Sequence, residues 1–221
     1  MQTIQALTSD FPSTACPAVV ELIHSAGRNP RVAWVAPQAS SRLWRLPLAR
    51  RQFRRYGVET LEFIDAGRPL AGTTSPFSGC DLVYLTGGDP LKFRRALLAS
   101  GLDRHIRTFA AAGGPIVAAS GGAMQLTPNV SLFRLLKSSA EEVLRTRAEF
   151  DGIGLVQFEI LPHLERHSAP FLARVSRYSQ AIAHDVVALA DGAALIFQHG
   201  TLQYVGAVMR YRAGVSTPLA P

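Results

Sequence analysis

The sequence predicts an α/β domain: a mostly parallel central sheet layered between helices, turning antiparallel toward the C-terminus. Three observations carry this reading. Over residues 30–120, short apolar runs alternate with helix-length segments, the rhythm of β-α-β units with right-handed crossovers. Two of those runs end directly in glycine turns, Thr86-Gly87-Gly88-Asp89 and Ser120-Gly121-Gly122. Beyond residue 186 the apolar runs are separated only by turn residues, as in antiparallel strands. A length of 221 residues fits one domain of ordinary size, so residues 1–221 are read as a single unit.

Residues 1–15 show little pattern and are expected to form a loosely anchored arm. A helix begins after Pro17 and stops at Gly27. Arg31-Val32-Ala33-Trp34-Val35-Ala36, closed by Pro37, reads as a buried strand. Leu46, Leu48, Phe53 and Tyr56 recur at roughly helical spacing and predict an amphipathic helix ended by Gly57. Strands over 58–64 and 81–85 flank a loop over 66–79 rich in glycine, proline, serine and threonine. Pro90 opens a helix that Gly101 stops, and residues 102–112 form the next one. Ser139 and Glu142 have capping-box spacing for a helix over 139–148. A strand over 156–161 runs into Pro162-His163, and a helix over 169–179 follows. Strands over 186–190, 193–198 and 203–208 are joined by turns at Asp191-Gly192 and His199-Gly200, and residues 214–221 are expected to be loose.

The net charge of +7 and a pI near 10.1 raise the question of a nucleic-acid partner. Lys92 and Lys137 are the only lysines, and the arginines are dispersed apart from Arg50, Arg51, Arg54 and Arg55. The apolar residues interleaved with that cluster make it the solvated face of an amphipathic helix rather than a phosphate-binding patch, so no nucleic acid is expected. No apolar run approaches the roughly 20 residues that span a bilayer. Residues 1–10 lack the basic start and apolar core of a signal peptide, so a cytoplasmic protein without membrane contact is expected. Cys16 and Cys80 lie far apart without metal-ligating neighbours and read as reduced structural thiols.

The chemistry centres on Ser120. A serine pushed out at a sharp strand-to-helix corner needs small neighbours, which Gly121 and Gly122 supply, and the helix behind it aims N–H groups at developing negative charge. The same residues also suit a plain Ser-Gly-Gly loop. A serine nucleophile requires a base, and the base a group that fixes its tautomer. His163 ends a strand at the edge expected to carry Ser120, and Asp191 ends another, giving the order Ser120, His163, Asp191. The rival order is Ser120, then Asp151 or Asp185, then His199; it lacks the first glycine of the hydrolase elbow. His163-Leu164-Glu165-Arg166-His167 does not have the spacing of a zinc-peptidase helix. Gly87-Gly88-Asp89 lacks the lysine of a phosphate loop and reads as an oxyanion-side loop.

Together, Val83-Tyr84-Leu85-Thr86-Gly87-Gly88-Asp89, Ser120-Gly121-Gly122-Ala123, Leu161-Pro162-His163 and Ala190-Asp191-Gly192 resemble the S51 serine peptidases. That family includes aspartyl dipeptidase (peptidase E) and cyanophycinase. The likeness covers about residues 30–210 and is strongest over 81–127. It implies a class I glutamine amidotransferase-like, flavodoxin-like three-layer α/β/α fold. It also implies Ser120 as nucleophile, His163 as general base and Asp191 as the acid, with the N–H groups of Gly88 and Gly121 as oxyanion hole. Asp89, Arg166 and Arg174 are the candidates for holding substrate, with a solvated surface role as the plainer alternative for each arginine. The implied activity is hydrolysis of small peptides, Asp-containing dipeptides among them, through an acyl-enzyme and with neither metal nor organic cofactor. A catalytically inactive binding or scaffolding domain is the alternative. The expected partners are a small peptide and, at most, a second copy of the chain. Two departures stand out: the family pattern is Ser-Ala-Gly-Ala where this chain has Gly121, and Leu164 stands where a phenylalanine usually follows the histidine.

Overall fold

Residues 5–8, expected to lie in a loose arm, form a strand in the interior of the main sheet. The computed structural model describes residues 5–9, 17–70, 74–198 and 201–219. Its described elements open with β1 (Gln5–Thr8), α1 (Pro17–Ser25), β2 (Val32–Ala36), α2 (Ser41–Trp44), α3 (Leu46–Arg54), β3 (Leu61–Asp65) and β4 (Leu82–Leu85). They continue through α4 (Pro90–Ser100), α5 (Leu102–Ala111), β5 (Ile116–Ala119), α6 (Gly121–Gln125), α7 (Ala140–Arg145), β6 (Glu159–Leu161) and α8 (Ala169–Gln180). Five strands close the fold: β7 (Val186–Leu189), β8 (Ala194–Gln198), β9 (Thr201–Val205), β10 (Val208–Arg212) and β11 (Val215–Leu219).

The main sheet has the order β3-β2-β4-β5-β1-β8-β9. Its first five strands are parallel, and β8 and β9 run antiparallel. Every residue of β1, β2, β4 and β5 is buried, as strands covered on both faces must be. Side-chain alternation splits their residues between two cores. Ala6, Trp34, Tyr84 and Val117 pack with α1 and α3, while Leu7, Val35, Val83 and Ala118 pack with α4 and α5.

β1 escaped the periodicity argument because it is only four residues long and half polar. Gln5 and Thr8 are nevertheless buried at 2% exposure each, since pairing on both sides satisfies their backbone. β1 sits between β5 and β8 and supplies the change from parallel to antiparallel pairing.

A second sheet, β11-β10-β7-β6, lies beyond the α4 and α5 side of the first. Val187 and Leu189 of β7 face the main core, whereas Val186 and Ala188 pack under α7 and α8. This corrects three expectations. The residues at 186–190 and 193–198 belong to different sheets, so Asp191-Gly192 is a crossing between sheets rather than a hairpin turn. The apolar run at 203–208 is divided between β9 and β10, and the supposedly loose tail is β11, an edge strand where Pro218 forfeits no interior ladder bond. The turn at His199-Gly200, like Cys16, lies outside the described residues.

Local signals elsewhere act as read. Ser139 Oγ accepts the Glu142 N–H at 3.2 Å, and Gly101 ends α4 with φ of 77°. α3 buries Leu46, Ala49 and Phe53 beneath its arginines, but Leu48 stands 65% exposed rather than on the buried face. Under the second sheet, Glu159 is fully buried at the start of β6, paired with Arg147 at 2.7 Å and hydrogen-bonded by Tyr178 and His184. A buried carboxylate persists only with such partners, and the arrangement fixes the root of the strand that carries His163. No described helix is long and apolar enough to cross a membrane.

Because Leu7 is fully buried in the middle of the sheet, Leu7→Ala is expected to destabilise the protein by about 2–5 kcal/mol in urea unfolding. A change within about 0.5 kcal/mol, as at an exposed surface, would return these residues to a loose arm.

Candidate active site

Three strand ends and one strand-to-helix corner meet at the same edge of the fold. β5 ends in Ser120, whose φ of 50° and ψ of −120° no β-carbon-bearing residue adopts without strain, on the order of 1–3 kcal/mol. Hydrogen bonds hold the corner in place: Ser120 N–H donates to Thr8 O at 2.8 Å, and Ser120 O accepts from Met124 N at 3.1 Å. Close packing holds it too. A methyl group on Gly122 would sit 2.5 Å from both the Leu85 and Thr86 carbonyl oxygens, and one on Gly121 would sit 2.0 Å from Gly88 O. Gly121 is therefore demanded by the approach of the Gly88 loop. The alanine usual at this position would require that loop to move.

His163 leaves β6 in the left-handed region, at φ 60° and ψ 45°, and its N–H donates to Ser9 Oγ at 2.7 Å. This backbone twist turns the imidazole toward Ser120, with Oγ to Nε2 at 2.9 Å. On the far side Nδ1 lies 2.5 Å from Asp191 Oδ1. A carboxylate can only accept, so in the neutral ring Nδ1 carries the proton and Nε2 is left to receive the serine hydroxyl's.

Asp191 is gripped from several directions. Ser9 Oγ donates to Oδ1 at 3.0 Å, Arg166 pairs with Oδ2, and the Asp191 N–H donates to Glu165. Partial burial pushes the Asp191 carboxyl up, but the hydrogen bonds from His163, Arg166 and Ser9 outweigh it and hold the group down at about 2.

The second glycine turn lies beside the serine. Neither Gly88 nor Gly121 N–H has a hydrogen-bond partner among the described residues, leaving both free for an incoming oxygen. Arg45 braces this loop by donating to Gly87 O at 2.8 Å. The other predicted residues fall elsewhere. Asp89 Oδ1 accepts from Leu91 N and Lys92 N as the cap of α4. Arg174 donates to Leu135 O, whereas Arg166 borders the cleft at Ser120. Among the rival acids, Asp151 accepts from Asn129 and Asp185 pairs with Arg212, while His199 lies outside the described residues.

The sequence pattern of peptidase family S51 matches this chain over residues 9–205. The chain belongs to peptidase family S51. An uncharacterized peptidase of Listeria monocytogenes is 31% identical over 114 residues, 52% of this S51 chain and 53% of that protein. A Rhodospirillum rubrum protein named 7-carboxy-7-deazaguanine synthase is 35% identical over 112 residues, 48% of this chain and 40% of that one. The chain thus spans about half the length of the curated relatives it matches. A crystal structure of a candidate peptidase E from Listeria monocytogenes superposes over 100% of both chains with a TM-score of 0.71 at 19% identity, which shows a shared fold.

Two residues of this S51 site went unread in the sequence. Ser9 follows Thr8, one residue beyond the apolar Ala6-Leu7 pair, and could have been noticed as a strand-end serine, had β1 been recognised. Arg45 carries no sequence signal; it is one arginine among many, singled out only by its reach to Gly87.

The depressed Asp191 carboxyl has a consequence for stability. A group held below its ordinary value of 3.8 in the folded state stabilises that state above 3.8 and loses the contribution as pH falls toward about 2. Asp191→Asn is expected to be less stable than the parent at pH 6, with the difference narrowing below pH 4, as measured by denaturant unfolding across that range.

Proposed function

We propose that this protein is a serine peptidase acting on small peptides through an acyl-enzyme. The observation that carries the reading is the continuous hydrogen-bonded line from Ser120 Oγ through the His163 ring to Asp191, built on two residues in strained backbone conformations. Family membership supports the same class of chemistry.

In this mechanism His163 Nε2 takes the Ser120 proton as Oγ attacks the peptide carbonyl. Asp191 holds the ring in the required tautomer and stabilises the imidazolium that forms. The oxygen of the tetrahedral intermediate is received by the free N–H groups of Gly88 and Gly121. His163 then protonates the departing amine, and a water activated by the same nitrogen releases the acyl group. Arg45 and Arg166 border a recess of about 440 Å³ beside Ser120. There they suit a substrate carboxylate, whether an aspartyl side chain or the free end of a dipeptide. This supports Asp-containing dipeptides as substrates.

Ser120→Ala is expected to abolish labelling by a fluorophosphonate and to lower kcat on Asp-containing dipeptides by at least about 10⁴-fold. Folded parent protein that neither labels nor hydrolyses would point instead to a binding domain on a peptidase scaffold. Ser9→Ala, which leaves the reacting atoms intact but loosens both His163 and Asp191, is expected to reduce kcat by about tenfold with KM nearly unchanged.

A further inference from the structure

Ser120 and His163 border two recesses of opposite character. Beside the larger one with Arg45 and Arg166 lies a smaller recess of about 70 Å³, walled by Met124, Phe133, Leu136, Leu161, Phe171 and His167. Both reach the nucleophile, so a peptide whose carbonyl sits on Ser120 can extend a substituent into each.

No acid, lysine or arginine lines the small recess, and the His163 ring stands at its mouth. His167 contributes a flat neutral face: it stacks on Phe171 with centroids 4.4 Å apart and donates to Pro162 O at 2.9 Å. Burial lowers its pKa and so keeps the imidazole neutral. Arg174, the cation nearest in sequence to Phe171, does not border the recess and spends its Nε on Leu135 O. A carboxylate entering there would lose water and gain no cation. The volume is about half that of a 150 Å³ cavity that accommodates benzene, which suits an aliphatic group of a few carbons and not an aromatic ring.

We propose that this recess is a specificity subsite for a small aliphatic side chain adjoining the scissile bond, so that the preferred dipeptides pair one aliphatic residue with one acidic residue. The inference rests on the peptidase reading and adds the substrate class to it. Phe133 and Leu136 act as specificity-determining residues, closing the outer side of the subsite. They lie just after residue 130, in a segment that carries none of the reacting groups.

The test is a kcat/KM series on Asp-Val, Val-Asp, Asp-Asp, Asp-Phe and Phe-Asp with the parent protein, alongside fluorophosphonate labelling of the same preparation. The better of Asp-Val and Val-Asp should exceed Asp-Asp, and the phenylalanine peptide of the same order, by at least about tenfold, the scale on which apolar pockets discriminate. Leu136→Arg replaces a wall residue that is 44% exposed and should move the ratio back toward Asp-Asp by a similar factor. Asp-Asp cleaved as well as the mixed peptides by a protein that labels at Ser120 overturns the subsite and leaves the peptidase reading standing. Absence of labelling overturns the peptidase reading and the subsite with it. The parent ratios decide the matter even if Leu136→Arg does not fold.

Discussion

The contact on which the site depends is the seam between β1 and its neighbours. Thr8 O takes the N–H of Ser120, and the next residue, Ser9, takes the N–H of His163 while donating to Asp191. Two adjacent residues, the last of β1 and the one after it, thereby reference Ser120, His163 and Asp191 to a common frame. Ser9 N–H also donates to Ala193 O at 3.3 Å, tying in the segment that carries Asp191 as it crosses between the sheets. Without this strand β5 and β8 would lose their shared partner, and Ser120 would lose its backbone link to the paired strands β6 and β7 that lead into His163 and Asp191.

That frame must be stiff because it holds two residues against their conformational preference. Ser120 and His163 both sit at positive φ, where β-carbon-bearing side chains are uncomfortable. In each case the strain aims a side chain: Ser120 outward at the corner, His163 sideways off the end of β6. Local hydrogen bonds compensate the strain, and so does packing so close that Gly121 and Gly122 have no room for a methyl group. The glycine at position 121 is thus matched to the close approach of the Gly88 carbonyl.

Charge around the site is arranged so that one carboxylate stays ionised. Asp191 is shared by a histidine, an arginine and a serine, and Arg166 both pairs with it and borders the larger recess. The cleft is consequently asymmetric. Cations line one side of Ser120 and aliphatic and aromatic side chains the other, a division that suits a peptide of mixed character.

Much of this was legible in the chain. The two glycine turns, the unbroken apolar runs of β2, β4 and β5, and the order Ser120, His163, Asp191 follow from local rules: apolar runs bury, glycine turns permit sharp corners, and polar residues at strand ends face one sheet edge. Those rules act over a few residues, so the sequence by itself determined the α/β class and pointed to Ser120, His163 and Asp191, which the fold brings into one hydrogen-bonded line. They are blind to elements whose identity comes from partners. β1 and β11 are strands because long-range pairing satisfies their backbones, not because four or five residues carry a pattern. The roles of Ser9 and Arg45 exist only once segments 154 and 42 residues away in sequence are brought against them. Asp89, chemically suited to substrate, is claimed by a helix cap. Gly121 looks permissive in the sequence and is obligatory in the fold, since the distance from its neighbours is a tertiary quantity that no single residue specifies.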